Sequence, residues 1–302
     1  LSTRKTIKML RKLVKESGAD QLAFTGGEPL LRDDLPDLLA ALTLKGCAVS
    51  VLTNGMLMTP DWATDLKRTG ARLVQLTLLS MNEELHDWHC GKGAFQGIMN
   101  AAKMLTDAKM RIAMTIVVTN RTVDELPRLM EYMKSIGQKS FLLNRYNPGG
   151  SKVADGSFRD LMLTKEENAR LLRHAEEGAV KLDMVPAVAV PIPPCVVDRN
   201  QYPHVRFAGC AAATNDAYFT LDPLGNIRMC NHSPEILGNI LKDHFLEIAN
   251  CRQATDWVSV KPDFCKPCPG WDRCKAGCRA VVQQMSQPLT ELDPWVAECL
   301  GD

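Results

Sequence analysis

The sequence has almost no net charge, no long apolar run and no export signal. Lys and Arg number 36 against 35 Asp and Glu, a formal net charge of +1. Electrostatics therefore favour neither a nucleic-acid partner nor an anionic membrane. The longest apolar runs, such as "AVAVPIPP", are short and broken by proline, which argues against a bilayer-spanning segment. Residues 1–17 predict a basic amphipathic helix without the apolar segment and cleavage site of a signal peptide, so we expect a cytoplasmic protein.

Cysteine is scarce in the first two thirds of the chain. Only Cys47 and Cys90 precede residue 190, whereas nine of the eleven cysteines lie between Cys195 and Cys299. Without a sign of export, and with an odd count, these cysteines are better interpreted as thiolate ligands than as disulfides. The shift predicts a thiol-poor first domain and a metal-rich second one, divided near the proline-rich residues 185–195.

The thiol-poor part alternates between strand and helix patterns, with no tandem repeat. Short apolar runs alternate with longer segments of helical spacing, which predicts a parallel sheet with right-handed crossovers and both faces covered. The predicted strands are "DQLAFTGG", "CAVSVLTNG", "RLVQLTLLS", "RIAMTIVVT" and "KSFLLNRYNP".

Candidate ligand-binding features fall where these strands end, which is where parallel α/β sheets place their sites. They are "TGGEP" (25–29), "TNG" (53–55), "LLSMN" (78–82) and "LNRYN" (143–147). In the first, two glycines let a ligand approach the main chain, Glu28 can accept from an ammonium group, and Pro29 fixes the turn. A tight strand-to-helix turn without a ligand is the competing interpretation.

The cysteine-rich part has regular spacing. Cys210 and Cys230 flank Gly225, and Cys265 begins a C-x2-C-x5-C-x3-C run, followed by Cys299. The stretch "YFTLDPLGNIRMC" predicts a β-hairpin, with Gly225 supplying a positive φ, which brings Cys230 back toward Cys210. Four thiolates bind either zinc or an iron–sulfur cluster, so the thiols alone do not decide the metal.

The motif "GGEP" after a strand resembles the S-adenosylmethionine (SAM) motif of the radical SAM superfamily. "LTLLSMNEELHDWHCGKGAFQGIMNAAKML" is similar to that family's segment after strand four, and "TIVVTN" to its fifth strand, which ends near the adenine. The resemblance implies a partial (β/α)6 TIM-like barrel in an α/β fold. It implies a SAM site built from Gly26, Gly27, Glu28, Pro29, Asn54, Ser80, Val118 and Arg145, with Ser80 facing the ribose or carboxylate.

Two departures from the family pattern stand out. Cys90 replaces the arginine common before the glycine of "HCG", and the CxxxCxxC loop that holds the SAM-cleaving 4Fe–4S cluster is not found in residues 1–302. We expect that loop upstream of Leu1, and the alternative is a pseudoenzyme without the cluster. His86 and His89 are interpreted as a hydrated pair rather than metal ligands.

The seven spaced cysteines resemble the SPASM domain that follows the barrel in many radical SAM enzymes. The resemblance implies residues 1–184 as barrel, 185–209 as linker and 210–302 as a small α+β domain with two auxiliary 4Fe–4S clusters. By position, the ligands of auxiliary cluster I are Cys210, Cys230 and Cys278, and those of auxiliary cluster II are Cys265, Cys268, Cys274 and Cys299. The eighth ligand is left open between an unliganded iron, Cys195 and Asp216, whereas Cys47 and Cys251 are expected to be buried apolar residues.

The resemblance implies an enzyme that uses SAM and three 4Fe–4S clusters to abstract hydrogen from a substrate. It further implies a ribosomally made peptide as substrate, modified by crosslinking, epimerisation or decarboxylation, and a flavodoxin or ferredoxin as electron donor. The alternatives are oxidation of a tetrapyrrole or a protein side chain. A non-catalytic zinc or iron–sulfur module is the alternative of another class.

Overall fold

A seven-stranded parallel sheet forms the larger part of the protein. The computed structural model describes residues 1–149, 156–213 and 218–301. In these ranges the strands of this sheet lie side by side in chain order. They are β1 (Gln21–Phe24), β2 (Ala48–Thr53), β3 (Leu73–Thr77), β4 (Ile112–Val118), β5 (Ser140–Arg145), β6 (Val185–Val188) and β7 (Arg206–Phe207). Every neighbouring pair is parallel, as the alternating pattern predicts.

Helices connect these strands and cover the sheet. They are α1 (Thr3–Ser17), α2 (Leu35–Thr43), α3 (Pro60–Arg68), α4 (Glu83–Cys90), α5 (Ala94–Asp107), α6 (Leu126–Ser135) and α7 (Lys165–Leu182). Their starts follow capping rules: the Thr59 hydroxyl accepts from Trp62 N before α3, and Thr164 and Glu167 form a capping box at α7.

The core lies between sheet and helices. Val49, Val51, Val74 and Leu76 of the central strands are fully buried. They pack in one cluster with apolar helix residues such as Leu39. Burial of this aliphatic surface is the main stabilising contribution to the barrel. The predicted α/β partial barrel is confirmed.

The expected linker, residues 185–209, differs from the prediction because it contributes two strands. β6 pairs with β5 through contacts such as Phe141 with Pro186, and β7 pairs with β6. Proline usually excludes a segment from a central strand because it lacks an N–H donor. Its presence in the Val185–Val188 strand hid β6 from the sequence pattern.

The C-terminal region is small and mixed. An antiparallel sheet of β8 (Thr220–Leu221), β9 (Asn226–Arg228) and β10 (Gly238–Asn239) precedes a series of short helices. The helices are α8 (Phe245–Ala249), α9 (Arg252–Ser259), α10 (Trp271–Cys274), α11 (Arg279–Gln284) and α12 (Pro294–Gly301).

The β8–β9 hairpin is confirmed. Gly225 has φ of +90°, and its N–H donates to Asp222 O at 3.0 Å. The Asp222 carboxylate accepts from the N–H groups of Leu224 and Asn226 inside the loop. Aspartate and glycine thus hold the turn as their local chemistry predicts.

Two contacts attach the C-terminal region to the barrel. Met9 and Leu13 of α1 pack with Ile227, Ile240 and Phe245 in a second apolar cluster. At the other side, Trp295 and Val296 of α12 join the main core. The Trp295 indole N–H donates to Leu163 O at 2.7 Å. Among the helices that the structure describes, none is long and apolar enough to cross a bilayer.

Candidate functional site

The "GGEP" turn lies at the C-terminal end of β1, exposed at the edge of the sheet. Gly26 has φ of +129°, a conformation that side chains rarely adopt. Gly27 has an ordinary φ, and a Cβ built on either glycine meets no heavy atom within 4 Å. The open space beside Gly27 therefore lies outside the folded chain, where a ligand could approach the backbone.

The Glu28 carboxylate braces this turn against β2. Its Oε1 accepts from Leu30 N at 3.0 Å and from the Thr53 hydroxyl at 2.6 Å. Its Oε2 accepts from Asn54 N at 2.9 Å. Pro29 is buried directly behind it. Glu28, Pro29 and Asn54 are thus brought together as predicted, and the carboxylate is occupied by protein donors.

Ser80 is completely buried beyond the end of β3, and its hydroxyl donates to Glu125 Oε2 at 2.8 Å. The same carboxylate oxygen accepts from the N–H groups of Met81 and Asn82. Ser80 thus organises the loop after β3 instead of facing the open edge. Sequence reasoning missed Glu125, because nothing in the chain marks a carboxylate 45 residues away as its partner.

Val118 and Arg145 end β4 and β5 as predicted, and both side chains are buried. The Arg145 guanidinium pairs with the Asp293 carboxylate, donates to Asn147 Oδ1 at 3.2 Å and lies 4.5 Å over the Trp295 ring. Arg145 therefore joins the barrel to the C-terminal region.

The "HDWHC" segment forms α4 and differs from the expected hydrated pair. His86 is buried, its Nδ1 accepts from Leu79 N at 3.3 Å, and burial lowers the pKa of its imidazole. Asp87 accepts from Gly93 N at 2.6 Å and Phe95 N at 2.8 Å, and these bonds lower its pKa. Both residues position the start of α5. Cys90 is exposed at the end of α4.

The first group of thiols is Cys210, Cys230 and Cys278, as the spacing predicts. All three pack on one buried cluster that includes Met229 and Trp257. Burial, with the nearby charges of Cys278 and Cys210, raises the pKa of Cys230 to about 12. The Cys278 sulfur also accepts from Asn147 Nδ2 at 2.9 Å. Such bonds to sulfur are typical of the surroundings of metal-bound thiolates.

The second group of thiols is Cys265, Cys268 and Cys274, and it includes Cys195. The four line one small cavity together with apolar side chains. Cys299, which spacing assigned to this group, is buried in the barrel core and is not among the described residues that line the cavity. Asp216 lies outside the described residues.

Buried cations accompany both groups of thiols. Arg279 is almost fully buried, and burial lowers its pKa to about 10, opposed by the thiolate charges of Cys210 and Cys265. Arg199 lies near Cys274, whose charge likewise favours its protonated form. A buried guanidinium between two sets of thiols fits a bound group that keeps the sulfurs as thiolates.

All eleven cysteines are free thiols. Within the described ranges, no three His, Cys, Asp or Glu side chains lie close enough together to hold a single metal ion. The donor set, three or four thiols around an apolar space, fits an iron–sulfur cluster in its chemistry.

Residues 1–133, which contain the "GGEP" turn and the first four strands, match the model of the radical SAM superfamily. The chain is a radical SAM enzyme. SAM and a 4Fe–4S cluster are the cofactors typical of this superfamily.

The radical SAM enzyme is similar along most of its length to three curated proteins. It is 25% identical to the PqqA peptide cyclase of Streptomyces rochei, covering 93% of this chain and 76% of the relative. It is 27% identical to the mycofactocin maturase MftC of Mycolicibacterium smegmatis, covering 91% and 70%. It is 24% identical to the AdoMet-dependent heme synthase of Methanosarcina barkeri, covering 93% and 83%. The enzyme is thus related to peptide maturases.

The fold of the enzyme resembles a solved structure of anSMEcpe with bound AdoMet and the Kp18Cys peptide. The TM-score is 0.72 at 19% identity, and the match covers 98% of this chain and 86% of that one. At this identity the likeness shows the fold, a radical SAM barrel followed by a small C-terminal region.

Proposed function

We propose that this enzyme modifies a ribosomally made peptide by hydrogen abstraction, using SAM, a SAM-cleaving cluster and two auxiliary 4Fe–4S clusters. The observation that supports it most is the similarity to a peptide cyclase over 93% of the chain, together with two separate groups of thiols in the C-terminal region. A flavodoxin or ferredoxin would supply the electron.

The chain's own residues would provide binding and orientation. Together, SAM and its cluster supply a 5′-deoxyadenosyl radical that abstracts hydrogen from the substrate. The backbone at Gly26 and Gly27 would receive the methionyl end of SAM, because the open space beside these glycines lies at the sheet edge. Glu28 holds that turn by three hydrogen bonds to its neighbours. Buried Val118 and the core behind it keep water from the strand ends.

The test uses the full-length protein, purified without oxygen and reduced with dithionite in the presence of SAM. We expect 5′-deoxyadenosine and about eight irons per chain beyond the SAM cluster, since each four-thiolate cluster holds four. A colourless protein with bound zinc would contradict the proposal.

A second candidate, chemistry on a tetrapyrrole, is favoured by the similarity to a heme synthase. Two probe substrates separate the candidates: the PqqA peptide and an iron porphyrin. We expect only the peptide to increase 5′-deoxyadenosine formation and to change in mass. Turnover of the porphyrin alone would favour the second candidate.

Asn147 is expected to tune auxiliary cluster I. Its side-chain N–H donates to Cys278 Sγ, and hydrogen bonds to thiolate sulfur raise the reduction potential of a cluster by stabilising the reduced form. Replacing Asn147 by Leu removes this donor at similar volume, so the potential of auxiliary cluster I should fall. EPR-monitored redox titration measures it, and auxiliary cluster II in the same molecule is the control. An unchanged potential would show that the bond does not act on the cluster.

A further inference from the structure

Four cysteines, not three, line the cavity of the second group. Cys195, Cys265, Cys268 and Cys274 lie on its wall, and the remaining lining is apolar, including Phe264 and Trp271. Burial and the charges of the other three thiols raise the pKa of Cys265 to about 11. Four sulfurs facing one apolar space form a complete ligand set for a 4Fe–4S cluster.

The segment that carries Cys195 is held firmly in place. The N–H groups of Val196 and Val197 donate to Pro193 O at 3.0 and 3.2 Å, so the chain turns just at Cys195. Arg199 donates to Ile192 O at 2.7 Å and closes the same loop. A thiol on a loop braced by prolines and a guanidinium loses little conformational freedom when it binds a metal.

This loop also touches the C-x2-C segment. A Cβ built on Gly270 would lie 3.6 Å from Cys268 Sγ and 3.8 Å from Pro194 Cγ, so these two residues flank the same backbone. The guanidinium of Arg199 lies near Cys274, where it offsets thiolate charge. Cys195 is thus brought to the cluster ligands by contacts on both of its sides.

Cys299 occupies a different position. It is 3% exposed and belongs to the barrel core cluster with Trp295. Its carbonyl accepts from Lys165 Nζ at 3.1 Å, which ties its backbone to the start of α7. Val296, one turn earlier on α12, contributes the apolar wall of the cavity at this side.

We propose that Cys195 is the fourth thiolate ligand of auxiliary cluster II, in the place that spacing gives to Cys299. This inference rests on the proposed function, because it requires that the cluster exists. It makes the segment between β6 and β7 part of the metal site, so that the cluster joins the barrel sheet to the C-terminal region.

The first test compares three variants of the full-length protein, loaded with iron under identical conditions: Cys195→Ser, Cys299→Ser and Cys90→Ser. We expect Cys195→Ser to lose between one and four irons per chain and to alter the EPR signal of one auxiliary cluster. Cys299→Ser and Cys90→Ser should keep the wild-type iron content. Normal iron and EPR in Cys195→Ser, or equal losses in Cys195→Ser and Cys299→Ser, would overturn the proposal.

The second test needs no variant. Iodoacetamide is added to the native, cluster-loaded enzyme, and labelled cysteines are counted by mass spectrometry. Cys90 and Cys195 are both exposed in the folded chain, so Cys90 is the matched control. We expect Cys90 to be labelled and Cys195 to be protected until a chelator removes the iron. Labelling of both at the same rate would overturn the inference. A wild-type enzyme without auxiliary iron would instead contradict the proposed function.

Discussion

Replacing Gly27 by Val is expected to abolish reductive cleavage of SAM without destabilising the protein. A Cβ at Gly27 meets no heavy atom within 4 Å, and its φ is ordinary, so the folded chain accepts a side chain there. The proposed ligand does not, because the branched side chain would fill the space through which SAM reaches the backbone. Displacing a reacting group by about 1 Å can cost on the order of a hundredfold in rate, and valine intrudes by more than that.

The measurement is the initial rate of 5′-deoxyadenosine formation, beside the free energy of unfolding in urea. Gly27→Ala should give an intermediate rate because it adds one methyl group. Gly301→Val is the matched control, since a Cβ at Gly301 also meets no heavy atom within 4 Å. Gly301 lies at the far end of α12 and should leave the rate unchanged. Wild-type cleavage by Gly27→Val would remove the assignment of the turn to SAM.

This turn was predictable because its chemistry is local. Two glycines, a glutamate and a proline follow an apolar strand within five residues, and the structure places them at the strand's carboxyl end. The β8–β9 hairpin was predictable for the same reason, since Asp222 and Gly225 act on their own loop.

The partners of Ser80 and Arg145 were not predictable, because each comes from a distant segment. Glu125 lies 45 residues after Ser80, and Asp293 lies 148 residues after Arg145. Strand-end position correctly marked both residues as special but gave no means of choosing between a ligand and a buried partner. Tertiary packing, which period and spacing do not encode, makes that choice.

β6 and Cys195 illustrate a second limit. A proline inside a strand and a two-residue β7 carry too weak a pattern to be recognised, so the segment was interpreted as a linker. Once these strands pair with β5, the loop between them is fixed in space. The position of Cys195 beside the second thiol group follows from that pairing and not from cysteine spacing.

The Arg145–Asp293 pair is expected to contribute strongly to the attachment of the C-terminal region. Both side chains are at most 1% exposed. Asp293 also accepts from Cys278 N at 2.8 Å and from Trp295 N at 3.1 Å. Asp293→Asn keeps the shape but leaves the guanidinium buried without a counter-charge, which typically costs about 3–5 kcal/mol. We expect this loss in the free energy of unfolding, together with iron loss at auxiliary cluster I, since Asp293 orients the backbone of Cys278.

Urea unfolding of wild type and variant at equal iron loading measures the loss. Asp107→Asn is the matched control: it breaks the pair with Lys103, whose side chains are 75% and 64% exposed, and should cost only about 0.3–0.5 kcal/mol. The double variant Arg145→Met, Asp293→Leu replaces the pair with apolar groups and should recover part of the stability, because neither charge is then left unpaired. If Asp293→Asn cost no more than Asp107→Asn, the buried pair would not hold the two regions together, and the apolar contacts of Trp295 would have to do so alone.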